Sequence, residues 1–199
     1  MAGPGSSRSP ERTEELCIRF VNTMAWRRRQ PSEERLPTPE ALRRWLGANG
    51  LAEPPGGIAP DRMAALHDAA LTLREAIYRA LLAVAAGGAP AADDLALLNG
   101  RLAGPGAEIA PVGDGVAWHG RPADPLGLLQ PIALSAAALL TGPRARRVRQ
   151  CQDEQGCGWL FIDESRAQNR RWCSMGDCGN RAKASRHRAR LRRLEERRA

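Results

Sequence analysis

Residues 151–183 read CQDEQGCGWLFIDESRAQNRRWCSMGDCGNRAK, and this stretch decides the architecture. It contains four of the five cysteines, the bulky aromatics Trp159, Phe161 and Trp172, and the only lysine of the chain. The spacing is C-x5-C, fifteen residues, then C-x4-C. Each close pair makes one tight turn, and the loop between them lets both turns meet around one ion at Zn–S distances of about 2.3 Å. A stretch this short buries too little apolar surface to stand alone, so it needs a metal or bridges. Two disulfides are the competing arrangement, but bridges persist mainly in oxidising compartments, and the opening MAGPGSSRSP lacks the apolar run of an export signal. An iron–sulfur or redox role is a third. Catalytic zinc is disfavoured, because four thiolates leave no open position for water. The expectation is one structural Zn(II) per chain, held by Cys151, Cys157, Cys173 and Cys178.

Working outward, residues 158–163 (GWLFID) read as a short strand that packs aromatics over the site. Residues 173–178 (CSMGDC) form the second turn, and residues 179–198 carry Ala, Leu, Arg and Glu without proline. That composition predicts a helix with Cys178 in its first turn, where the N-terminal dipole favours a thiolate. Turn, strand, turn and helix around one metal describe a treble-clef-like finger.

The run Cys178, Gly179, Asn180, Arg181, preceded by Arg171, Trp172, Cys173 and by Cys157, Gly158, Trp159, Leu160, Phe161, resembles the CGNR-type zinc-finger family of bacterial stress-induced transcription regulators. In that family the finger is paired with an N-terminal helical domain called ABATE. The opening Leu16, Cys17, Ile18, Arg19, Phe20, Val21, Asn22, Thr23, followed by Leu36, Pro39 and Trp45, fits the start of such a domain. The resemblance implies DNA binding by the finger and ligand sensing by the helical domain. It is specific in the finger and looser over residues 50–140.

Charge is uneven along the chain. Residues 1–142 hold 14 arginines against 15 acidic groups, a net of −1, whereas residues 143–199 hold 16 basic against 7 acidic groups, a net of +9. A basic footprint confined to one module points to a polyanion, with nucleic acid first. Residues 125–142 lack charges, but Gln130, Pro131 and several alanines make them a buried core helix and not a membrane span. With no signal and no span, the expected compartment is the cytoplasm.

In chain order, residues 1–10 are expected to be disordered, 11–142 to form the helical domain, 143–150 a basic connector, and 151–199 the finger with its basic helix. A first helix is expected over about 11–28, with Leu16, Phe20 and Met24 on one face and Cys17 a buried apolar filler. Thr38 and Pro39 open a second helix. Met63, Leu66, Ala70, Leu73, Ile77, Leu81 and Val84 stripe a long one over roughly 60–86, and residues 91–102 form a shorter one. A small hairpin flanks Gly113, Asp114 and Gly115. Asp124 and Pro125 cap the apolar helix that ends at Thr141. The fold class is therefore mainly α, with one hairpin and a C-terminal four-cysteine finger.

No catalytic constellation emerges. His67, His119 and His187 are scattered, and GxSxG, HExxH and phosphate-loop patterns are absent, so the chain reads as a binder and not an enzyme. Asn22, Thr23 and Arg27, with Trp118, are candidates for an effector pocket; the bland alternative has Asn22 bonding backbone and the arginines solvated. Arg166, Arg170, Arg171, Asn180, Arg181, Lys183, Arg186, Arg188 and Arg192 are the candidate nucleic-acid contacts. Asn180 and Arg181 stand beside Cys178 and serve equally to brace the metal loop or to read bases. DNA is the expected partner, with a small-molecule effector and a homodimer as further candidates. Docking on an acidic protein of the transcription machinery, or RNA binding, is the alternative. On this reading Cys157→Ser or Cys178→Ser unfolds the finger while residues 1–142 keep their helicity.

Overall fold

The apolar stripe of residues 60–86 produces the longest element of the molecule, a helix over Pro60–Ala85 against which most of the chain packs. The structure, a computed structural model, describes residues 14–196 except 55, 105, 113–114 and 122–123. The expected disordered start at 1–10 lies outside the described residues. The elements are α1 (Leu16–Val21), β1 (Met24–Ala25), β2 (Glu33–Glu34), α2 (Pro39–Ala48), β3 (Leu51–Ala52), α3 (Pro60–Ala85), α4 (Ala92–Ala103), β4 (Glu108–Val112), β5 (Gly115–His119), α5 (Gln130–Thr141), β6 (Val148–Gln150), β7 (Leu160–Ile162) and α6 (Asn180–Glu196). The mainly helical architecture with a terminal cysteine-rich finger is as the sequence leads one to expect.

Several boundaries follow from local chemistry. The Thr38 hydroxyl accepts from the Ala41 amide at 3.2 Å and Pro39 takes the first helical position, so α2 starts where capping rules put it. Buried Met63, Leu66, Ala70, Leu73, Ile77 and Leu81 line the inner face of α3 at helical spacing, while Val84 is only half-buried near its end. Ile132, Ala133, Ala136 and Leu139 do the same for α5. The segment before it departs from the expected continuous helix. Pro131 inside an α-helix would clash with the preceding turn and leave a carbonyl unpaired. Residues Pro125–Leu129 instead form a 3-10 turn capped by Asp124, and α5 begins with Pro131 in its first turn.

The first helix is also shorter than expected. It ends at Val21, and the Thr23 hydroxyl donates to the Phe20 carbonyl at 2.7 Å, closing the last turn. The chain then extends, with Met24 opposite Glu34 and Ala25 opposite Glu33 in a short antiparallel pair. Cys17 is wholly buried, and desolvation pushes its thiol up to about 12, so it is an inert apolar filler, as read from the sequence. The expected hairpin forms as β4 and β5, extended by β3, which runs parallel to β5 in the order β3-β5-β4. Pro111 is tolerated because β4 is an edge strand.

Residues 148–150, expected as part of a connector, are a strand. β6 pairs antiparallel with β7, placing Val148 opposite Ile162 and Gln150 opposite Leu160. Side chains alternate across a strand. Leu160 therefore enters the helical core together with Val148, while Phe161 points into the cysteine cluster. One hairpin is thus shared by the helical core and the finger.

Candidate metal centre and basic helix

Cys151 directly follows β6, and its amide donates to the Trp159 carbonyl at 2.8 Å, so the hairpin presents the first turn. The Asp153 carboxylate accepts from the Gln155 amide at 3.2 Å, and its carbonyl accepts from Gly156 at 2.9 Å, which folds residues 151–157 back on themselves. Gln152 donates to the Arg171 carbonyl at 2.9 Å and draws the second turn alongside. There the Ser174 hydroxyl accepts from Asp177, and a turn of π-helix over Met175–Gly179 carries Cys178 into α6. The buried Asp163 carboxylate accepts from the Ser165 amide and hydroxyl at 3.0 and 2.6 Å and from the Arg170 amide at 2.8 Å, ordering the loop between the turns. Phe161, Trp159 and Trp172 cover the cluster.

The four sulfurs of Cys151, Cys157, Cys173 and Cys178 all lie within 4.8 Å of one another, with Cys157–Cys173 at 3.8 Å and Cys173–Cys178 at 3.6 Å. Tetrahedral Zn–S bonds of about 2.3 Å put ligand sulfurs about 3.8 Å apart, whereas a disulfide would bring two of them to about 2.05 Å. All of these cysteines are free thiols, so the two-bridge arrangement does not form. Thiols this crowded cannot all ionise side by side. Hydrogen bonds with Cys157, Cys173 and Cys178 hold the Cys151 thiol far below its ordinary range, and those with Cys151, Cys157 and Cys178 push Cys173 far above it. A dication at the centre removes that conflict. The donor set fits a zinc site.

Arg181 reaches back from the first turn of α6. Its Nε and Nη2 donate to the buried Asp153 carboxylate at 3.0 and 2.8 Å, and Nη2 also donates to the Cys178 sulfur at 2.8 Å. Beyond that turn α6 has no buried residue.

A family model described as "ABATE: Putative stress-induced transcription regulator" matches residues 14–143, and one described as a CGNR zinc finger matches residues 147–191. The chain belongs to the ABATE family. No curated protein matches it. Neither family description names an enzymatic activity. Among the described residues no helix is long and apolar enough to cross a membrane.

Each letter of the CGNR run has a local task. Cys178 faces the cluster. A side chain on Gly179 would meet the Met175 sulfur at 2.9 Å. Asn180 donates to the Gly176 carbonyl at 2.9 Å, and Arg181 braces Asp153 and Cys178. Other expected nucleic-acid contacts are also engaged within the finger. Arg170 donates to the Cys173 carbonyl at 2.9 Å and lies over Phe161, and Arg171 donates to Gln152 and lies over Trp172. Arg186 bonds the Ala182 carbonyl, its guanidinium 5.9 Å from the Trp172 ring, yet remains exposed. Arg166, Lys183, Arg188 and Arg192 are exposed, and none has a carboxylate partner among the described residues.

The residues expected to line an effector pocket join the ABATE domain to the CGNR finger. The Asn22 amide donates to the Leu160 carbonyl at 2.8 Å and accepts from the Leu160 amide at 3.0 Å. Thr23 caps α1 and accepts from Arg74. Arg27 is buried against Glu75, the Val21 carbonyl and the Tyr78 ring, and is not solvated. Trp118 lies apart from them, in β5 opposite Leu51. The side-chain groups of Asn22 and Thr23 are thus taken up by protein, as are both terminal nitrogens of Arg27, whose buried Nε has no hydrogen-bond partner among the described residues. The backbone amides of Arg27 and Arg28 donate to Cys157 and Gly156, and the Tyr78 hydroxyl donates to Gly158 at 3.2 Å. Gly156 and Gly158 have φ of +96° and +67°, and a Cβ on Gly156 would sit 3.0 Å from the Arg28 and Arg29 backbone. Asp153, Tyr78 and Gly156 escape sequence reasoning, and Gly158 is legible only as part of the motif and strand, since nothing in their spacing announces a partner across the chain.

Asn22→Ala should cost about 2–4 kcal/mol, because it strands both the amide and carbonyl of buried Leu160. Urea unfolding checks this; a midpoint unchanged within error would show that Leu160 finds other partners.

Proposed function

We propose that the protein is a zinc-dependent, DNA-binding transcription regulator of the cytoplasm, with one Zn(II) held by Cys151, Cys157, Cys173 and Cys178 and with α6 as the principal contact to duplex DNA. The observation carrying this reading is α6 itself. Over Asn180–Glu196 no residue is fully buried, yet the helix displays Lys183, Arg186, Arg188, Arg190, Arg192 and Arg193 without a carboxylate partner among the described residues. A helix so polar gains little from packing and is completed by a polyanion. At 1.5 Å per residue it is about 25 Å long, and the major groove, about 12 Å wide, admits a helix.

Helical geometry favours one side. Arg181, Ala182, Ser185 and Ala189 are half-buried and fall on one arc at about 100° per residue. Lys183 and Arg190 project from the far side of the helix and are the best-placed contacts, while Arg186 flanks the half-buried arc. Asn180 and Arg181 act on this reading by holding the metal loop and the root of the helix.

The metal supplies cross-linking of the two turns. Phosphate contact belongs to the arginines and the lysine, each neutralised phosphate adding about −0.9 to the slope of log affinity against log salt. Lys183→Ala with Arg190→Ala should lower that slope by about 2 in magnitude, with zinc content unchanged. Fluorescent-duplex titrations across a salt series measure it, and an unaltered slope would remove α6 as the contact surface. A second reading, docking on an acidic protein, is favoured by Leu191 and Leu194, each nearly half exposed on one strip of α6. It predicts no steep salt-dependent affinity for duplex.

A further inference from the structure

The ABATE domain carries a basic groove of its own beside the finger. Arg27, Arg28, Arg29, Gln30, Pro31 and Ser32 line an open depression of about 510 Å³, and no carboxylate is among its lining residues. Arg27 is already matched by Glu75. Arg28 and Arg29 are exposed, and neither has a carboxylate partner among the described residues.

The loop is held firmly against the finger. The Arg28 amide donates to the Gly156 carbonyl at 3.0 Å and the Arg27 amide to the Cys157 carbonyl at 3.1 Å. Trp26 then connects the groove to the root of α6: the Arg29 guanidinium lies 5.5 Å from its ring centre, and the Arg181 guanidinium 5.1 Å. Two arginines, one from each module, therefore share a single indole. The groove and the basic helix meet at that point.

We propose that this groove is a second phosphate site, through which Arg28 and Arg29 of the ABATE domain take the sugar–phosphate backbone of the same duplex that α6 contacts. The inference rests on the DNA-binding reading above. Guanidinium forks bind phosphate oxygens bidentately, and Gln30 and Ser32 add neutral donors, so the site matches an anionic backbone. Such contacts set register and affinity without reading sequence. The footprint then spans both modules, and the helical domain is part of the DNA-binding surface.

The test uses the full-length, zinc-loaded protein and a fluorescent duplex over a salt series. Arg28→Gln with Arg29→Gln removes both charges but leaves the backbone amides that dock on residues 156 and 157. Zinc content and the thermal midpoint serve as controls for folding. The expected result is weaker binding and a salt slope lower by about 1–2 in magnitude, with both controls unchanged. An unaltered slope in this variant, while Lys183→Ala with Arg190→Ala weakens binding, would overturn the second site and leave α6 standing. Inorganic phosphate binding that depends on Arg28 and Arg29, with duplex affinity unchanged, would overturn it too, making the groove a free-anion site. Absence of duplex affinity in the unaltered protein would overturn both.

Discussion

Cys178→Ser, or extraction of the metal by a chelator, is expected to unfold the finger and to lower the stability of the ABATE domain with it. Structural zinc in small fingers contributes apparent binding energies of about 10–16 kcal/mol at neutral pH, against about 5–15 kcal/mol for a whole domain. Without the ion the two turns have nothing to join them, since the cluster beneath consists of the thiols themselves and Phe161, with Trp159 and Trp172 packed on it. From the sequence alone, the helical domain should keep its helicity. The hairpin changes that expectation. Val148 and Leu160 are wholly buried in the ABATE core, and each is worth about 1.5–3 kcal/mol of apolar burial. Asn22 loses both its hydrogen bonds if β7 leaves. The helical signal in circular dichroism should therefore melt at lower temperature once zinc is released, by an amount equivalent to about 3–6 kcal/mol. A midpoint that stays put after complete release would show that the hairpin remains docked without its metal.

Arg74→Ala is expected to be the most damaging single change in the helical domain. The side chain is 2% exposed and has four hydrogen-bonding contacts: to Glu34 Oε1 and Oε2 at 2.7 and 2.6 Å, to Glu75 at 2.9 Å and to the Thr23 hydroxyl at 3.1 Å. Glu75 in turn holds Arg27, so one network joins α3, β2 and the segment that docks on the finger. Removing one partner of a fully buried pair costs about 3–5 kcal/mol, because it leaves the opposite charge uncompensated. The Glu34 and Glu75 side chains are 26% and 34% exposed, so water screens part of this and the expected cost lies at the lower end. Replacing Arg74 and Glu34 together by apolar residues should cost less than Arg74→Ala alone, and equilibrium unfolding of both variants checks this.

The same network sets an acid limit. Burial by itself raises the Glu34 and Glu75 carboxyls, but Arg74 holds Glu34, and Arg27 with Arg74 hold Glu75, below the ordinary range. Their contribution is therefore full above the unfolded value of about 4.3 and is lost as pH falls through the lower folded values. In Arg74→Ala this loss on acidification should shrink.

Some of this was legible in the chain as written. The cysteine spacing pointed to the four-sulfur cluster, and the stripe of α3, the uncharged apolar run of α5 and the Thr38 cap located helices, because these signals lie in residues a few positions apart. Backbone bonding by Asn22 and bracing of the metal loop by Arg181 were among the readings the sequence offered, but their partners were not legible. Asn22 pairs with Leu160, 138 positions away, and Arg181 with Asp153, 28 positions away. A polar side chain has many candidate partners, and only the approach of distant segments selects one. β1, β3 and β6, of two or three residues, carry too little periodicity to be read, whereas β7, no longer than β6, is legible in the apolar run after Cys157.

The sequence by itself determined that there would be a mainly helical domain, a four-thiol finger and a basic terminal helix, since helical periodicity, capping and ligand spacing are local properties of the chain. Tertiary structure alone decided that the finger is built into the helical domain through a shared hairpin, that Arg170, Arg171 and Arg181 brace the finger while the arginines further along α6 stay exposed, and that Arg28 and Arg29 lie beside its root. Those facts depend on which surfaces bury together, and burial is settled by the whole chain at once.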